Sequence, residues 1–129
     1  MTTTNTTTKD PFIKVPNILN IGQHHNDFDW EDLMPGVQIS RLNHDDNACS
    51  SALLHLDTGV KIPGHLHTGY EYVFLLSGQQ VAKCVDSGDN TSAKTGDLVI
   101  ARPGSKHEVQ NIEGGYVLII WEKPVVFQS

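Results

Sequence analysis

The stretch GVKIPGHLHTGYEYVFLLSG, residues 59–78, sets His65 and His67 two residues apart and Glu71 four beyond His67. Alternate side chains of an extended strand share a face, so the spacing predicts both imidazoles and the carboxylate on one face of one strand. Gly69 lies between them, where a missing side chain lets a barrel strand bend. A fourth group, His107, follows the Pro-Gly turn of RPGSKHEVQN at the head of another strand. Neutral imidazole and carboxylate form a ligand set for Zn, Fe, Mn, Ni or Cu. Four of them would leave one or two positions open on a six-coordinate ion, which a catalytic site needs. A closed structural zinc site is usually rich in cysteine, and Cys49 and Cys84 are too few and too badly spaced to form one. No Ser/His/Asp triad or further acid–base pair appears at a useful spacing, so no catalytic residue outside the metal set is assigned.

Positioning such groups is work for strands. Runs of Val, Ile, Leu and Tyr recur at close spacing between Gly, Pro, Asn and Asp, which predicts strands at 36–42, 51–56, 72–76, 79–85, 97–101 and 116–121. SGDNTS at 87–92 reads as a loop and NIEGG at 111–115 as a turn. HHNDFDWEDL at 24–33 has no clean helical period and reads as a loop with a short edge strand. Closely spaced strands without intervening helices pair antiparallel, and the expected architecture is a small all-β barrel.

Gly59, His65, His67, Glu71 and Gly78 stand at every fixed position of the first signature motif of the cupin family, which the sequence therefore resembles. The second motif is similar in GDLVIARPGSKHEVQN, where Gly96, Gly104, His107 and Asn111 keep the spacing. One departure is that Arg102 stands where the family has proline, which is shifted here to Pro103. The resemblance spans residues 36–123 and implies a double-stranded β-helix (jelly-roll barrel) with His65, His67, Glu71 and His107 holding one divalent metal ion. It also implies a homodimer, with the arm at 10–35 able to lay a strand on a neighbouring sheet. PGHLHTGYEYVFLLSG and RPGSKHEV look like the cupin domain of ChrR-type anti-sigma factors. The helical sigma-binding module of those proteins is not expected here, so sigma-factor binding is not carried over.

The remaining chemical side chains have plainer expected roles. His24 and His25 read as solvated loop residues, His44 as part of a turn, and His55 as a structural histidine. Tyr70 is expected to pack on the face opposite Glu71, Arg102 to lie on the surface, and Cys84 to be a small buried hydrophobe. Phe12, Phe28, Trp30 and Phe127 are expected to pack the barrel ends or a dimer contact.

At 129 residues the chain suits one domain, with residues 1–10 as a disordered Thr-rich tail and 11–129 as the folded unit. The net charge of −6, with no clustering of its 9 Lys and Arg, argues against nucleic acid as a partner. No apolar run approaches a membrane span and the first residues do not read as a secretory signal. A cytoplasmic address with reduced thiols is therefore expected, and Asn5 and Asn90 should carry no glycan. Two functions compete. One is a metal-dependent oxidoreductase, dioxygenase-like, with Fe²⁺ and a small organic substrate in the barrel. The other is a non-enzymatic Zn²⁺-binding domain that senses a ligand or binds a protein. Mn²⁺ and Ni²⁺ suit the ligands as well. Too few Lys and Asp in the core strands speak against a sugar isomerase.

Overall fold

The structure is a computed structural model that describes residues 11–45, 47–123 and 126–127, the last two by backbone alone. The tail 1–10 and the side chain of Phe127 lie outside the described residues. Among the described residues two short 3-10 turns, Ile21–Gln23 and His25–Asp27, precede eleven strands. These are β1 (Glu31–Met34), β2 (Val37–Asn43), β3 (Ser50–Leu56), β4 (Lys61–Leu66), β5 (Glu71–Leu75), β6 (Gln79–Cys84), β7 (Asn90–Lys94), β8 (Leu98–Ala101), β9 (Lys106–Glu113), β10 (Gly115–Trp121) and β11 (Val126–Phe127). Among the described residues no helix is long and apolar enough to cross a membrane.

The strands form two antiparallel sheets in the orders β1-β2-β3-β10-β5-β8 and β11-β4-β9-β6-β7. Pairing is nested: β6 with β7, β5 with β8, β4 with β9 and β3 with β10. One long antiparallel ribbon is thus wound so that successive turns fall on alternate sheets, which is the expected double-stranded β-helix.

Alternation places Val37, Ile39, Ala52, Leu54, Leu56, Leu75 and Val117 in the buried interior. The other face of the first sheet is also covered. Ile21 and Leu53 are buried there against Phe28, Trp30 and Tyr116, which explains why SALLHL and YVLIIW read as continuous apolar runs rather than alternating ones. The arm is pinned by hydrogen bonds from the Trp30 indole to His25 O (2.7 Å) and between His25 Nδ1 and the Tyr116 hydroxyl (2.8 Å). Its segment 24–33 holds a turn and the edge strand β1, as its composition predicts, and residues 11–30 contain no strand.

Two expected loops are shorter than predicted. Residues 87–92 run into β7, an edge strand whose one buried side chain is Ala93, so no apolar alternation announces it. NIEGG is a near-continuous passage from β9 into β10. A Cβ on Gly115 would stand 2.2 Å from Ser77 O, and the glycine is there because two backbones touch, not because the chain makes a wide turn.

Candidate metal centre

His65 is the last residue but one of β4 in one sheet and Glu71 opens β5 in the other. The three first-motif groups therefore do not share one strand, as their spacing suggested. The chain crosses between sheets at residues 67–70, and the crossing draws the side chains together. One ligand atom each from His65, His67 and Glu71 lies within 4.8 Å of the others. Gly69 permits the passage, since a Cβ there would come 3.1 Å from Glu122 Cβ and 3.3 Å from the Lys123 nitrogen.

Both sides of the crossing are fastened. The His67 amide donates to Ser105 O (2.9 Å) and the Gly104 amide to His67 O (2.7 Å), so the second-motif turn holds the first motif despite the shifted proline. Opposite, the Tyr70 amide donates to Glu122 Oε1 (2.8 Å) and the Glu122 amide to Tyr70 O (3.0 Å). His107, the second residue of β9, is the cross-strand partner of His65, and its ring centroid is 5.1 Å from that of His67. It stands beside the converging trio without being one of its members.

The electrostatics suit a cation. His65 and His67 are buried, and the Glu71 side chain is 13% exposed. Desolvation, reinforced by the neighbouring His65 and His107 rings, pushes the His67 pKa down to about 4. Burial also lowers those of His65 and His107. All three imidazoles are therefore neutral at neutral pH, the form that ligates metals. His65 Nδ1 donates to Pro63 O (2.9 Å), which leaves Nε2 with the lone pair. Burial alone raises Glu71 to about 7. His67 Nδ1 is buried without a hydrogen-bond partner and lies 3.9 Å from Glu71 Oε1, beyond hydrogen-bond reach. Ligands each about 2.0–2.2 Å from one ion stand roughly 3–4 Å apart, so a divalent metal would satisfy both groups. The residues fit such an ion.

His65 and Glu71 also stand in the wall of a cavity of about 240 Å³, otherwise lined mainly by apolar residues such as Leu54, Val73, Ile119 and Trp121. This is below the roughly 300–1,000 Å³ typical of drug-sized pockets. The only other polar lining side chains among the described residues are Arg41 and Gln80. The pattern of motifs did not single out Arg41, Gln80 or Glu122.

Several expectations need correction. His25 is not solvated: its ring stacks on Trp30 (centroids 4.8 Å, 9°) and meets His55 edge-on at 5.2 Å. Tyr70 is 40% exposed rather than packed, lying beside Tyr72 at 6.5 Å. Cys84 is half-buried and is the cross-strand partner of His107. Phe12 is 79% exposed. The surface placement of Arg102 agrees with expectation, whereas His44, expected in a turn, lies exposed in irregular backbone just after β2.

No curated protein matches the chain. Its fold is similar to an RmlC-like cupin from Shewanella frigidimarina, with TM-score 0.68, 16% identity, and coverage of 77% of this chain and 86% of that one. It is also similar to the DMSP lyase DddQ from Ruegeria pomeroyi (TM-score 0.69, 15% identity, 92% and 72%). A third similar structure is the oxalate decarboxylase formate complex from Lactobacillus farciminis (TM-score 0.65, 17% identity, 79% and 34%). At these identities the likeness concerns the fold. The family profile of the ChrR cupin-like domain matches residues 20–126, so this chain belongs to the ChrR cupin-like family of cupins.

Proposed function

We propose that the protein is a metal-dependent oxidoreductase, dioxygenase-like, acting on a small organic substrate inside the barrel. The observation that carries this reading is the convergence of His65, His67 and Glu71 at the wall of a small apolar cavity. His107 is proposed as the fourth ligand, supported by its pairing with His65. Fe²⁺ held by this set would supply Lewis acidity and a route for O₂ chemistry. The chain's own part is definable. His65, fixed by Pro63 O, presents Nε2; His67 brings a neutral ring; Glu71 gives up its proton as a cation arrives. Val73, Ile119 and Trp121 keep water from the substrate. A homodimer is part of the proposal, supported by the exposure of Phe12 and Ile13 on the arm.

A second reading is favoured by the family match itself. In it the same residues hold Zn²⁺ and the cavity senses a ligand without turnover. Anaerobic metal analysis followed by an O₂-uptake screen with small diketones, phenols and keto acids separates the two. The first reading expects iron and O₂ consumption. Stoichiometric zinc with no redox response, or iron-loaded protein inert across the panel, would overturn it.

A further inference from the structure

The interior of β2 breaks its own pattern. Val37 and Ile39, 1% and 6% exposed, alternate inward, and the next position on that face is Arg41. Its cross-strand partner is Ala52, which pairs with Ile119 on β10, which pairs with Val73 on β5. All four line the cavity. One row across the first sheet therefore runs from a guanidinium to the residue two beyond Glu71. It covers three strand spacings, about 14 Å along the sheet. Among the described residues Arg41 is the only Lys or Arg in the cavity wall, in a chain whose net charge is −6.

The side chain is half exposed, at 50%, and its Nε donates to Glu31 Oε1 at 3.0 Å; that carboxylate is 63% exposed. A solvent-exposed pair of this kind is weak and easily exchanged. It also engages one donor of a five-donor fork. The terminal nitrogens keep the geometry for a bidentate carboxylate.

We infer that the cavity takes a small carboxylic acid with an apolar body, its carboxylate bound by Arg41 at the β1–β2 rim and its other end directed toward His65 and Glu71. The inference deepens the proposed function by naming a substrate class, and it rests on that reading for the role of the metal end alone. Arg41 is a specificity-determining residue in this account. Ala52 opposite it, with no exposed surface, leaves the rim open to the incoming group. Leu54, Ile119 and Val73 contact the body.

Phenylacetate and 3-phenylpropionate, with the corresponding amides as neutral isosteres, test this by titration of Trp fluorescence and of amide NMR shifts. The titrations use full-length protein in metal-loaded and metal-free forms, with metal content measured in parallel. Wild type should bind the acids more tightly than the amides. Arg41→Gln should weaken the acids roughly ten- to a hundredfold and leave amide binding and metal content unchanged. Glu31→Gln, which removes a competing carboxylate, should leave acid binding equal or tighter. The inference is overturned if acids and amides bind alike, if neither binds, or if Arg41→Gln binds the acids as wild type does. A protein that discriminates acids through Arg41 but takes up no metal would sink the metal-centre reading and keep this one.

Discussion

Burial acts on the first-motif residues in opposite directions: it frees the His67 ring to ligate and leaves Glu71 a proton that an arriving cation must displace. It holds His67 neutral down to about pH 4 and keeps Glu71 protonated up to about 7. The signs for metal-free protein follow. Glu71 has a raised folded pKa, so its contribution to stability is present below its ordinary 4.5 and is lost as pH rises through about 7. His67 has a depressed one, so its contribution is present above its ordinary 6.5 and is lost as pH falls toward 4. Glu71→Gln removes the first effect alone. In urea melts with chelator, the variant should gain stability over wild type between pH 5 and pH 7.5 by on the order of 3 kcal/mol. An unchanged difference across that range would show that Glu71 is not buried beside an empty site. With metal present the ranking should reverse, because the variant loses the anionic ligand. The residue types and their spacing made this chemistry legible, since His-X-His followed by Glu and a later His is a ligand pattern in any fold. Arg41 was not legible. A lone arginine after Val37 and Ile39 acquires meaning only when its strand is seen to face a cavity.

At the scale of elements, the passage from β4 to β5 matters most. Period-2 reasoning placed His65, His67 and Glu71 on one face of one strand, and it cannot report that a chain changes sheets. The change is made at Thr68-Gly69-Tyr70, clamped by Ser105 on one side and Glu122 on the other. Glu122 lies 52 residues from Tyr70, and no local signal links them. Gly69→Val should push the crossing off Glu122 and Lys123, costing about 1–3 kcal/mol. It should also weaken metal binding although no ligand is touched; calorimetric metal titration and thermal melts check both. Most strands were legible because apolar runs mark them. β7 was hidden because an edge strand with one buried side chain carries no such run.

The whole molecule is a barrel with a second apolar layer outside it. Its composition and turn spacing announced the barrel, whereas of the covering layer only the packing of Phe28 and Trp30 was expected, within a loop whose histidines were read as solvated. The signal was too short: Ile21, Phe28 and Trp30 acquire partners only when Leu53 and Tyr116 present the outer face of the sheet. Ile18, Ile21, Phe28 and Trp30 therefore fasten the arm to the sheet. Ile21→Ala, at a side chain 2% exposed, should cost about 2–5 kcal/mol in equilibrium unfolding while metal content stays unchanged. A loss within about 0.5 kcal/mol would mean the arm does not pack in solution.

The proposed metal centre requires one divalent ion shared by side chains from two sheets. Elemental analysis of anaerobically purified wild type beside His67→Ala, with folding checked by circular dichroism, tests it most directly. About one ion per wild-type chain and a large loss in the variant are expected. Wild type without stoichiometric metal, or a folded variant that retains it in full, would rule out a metal centre at these residues.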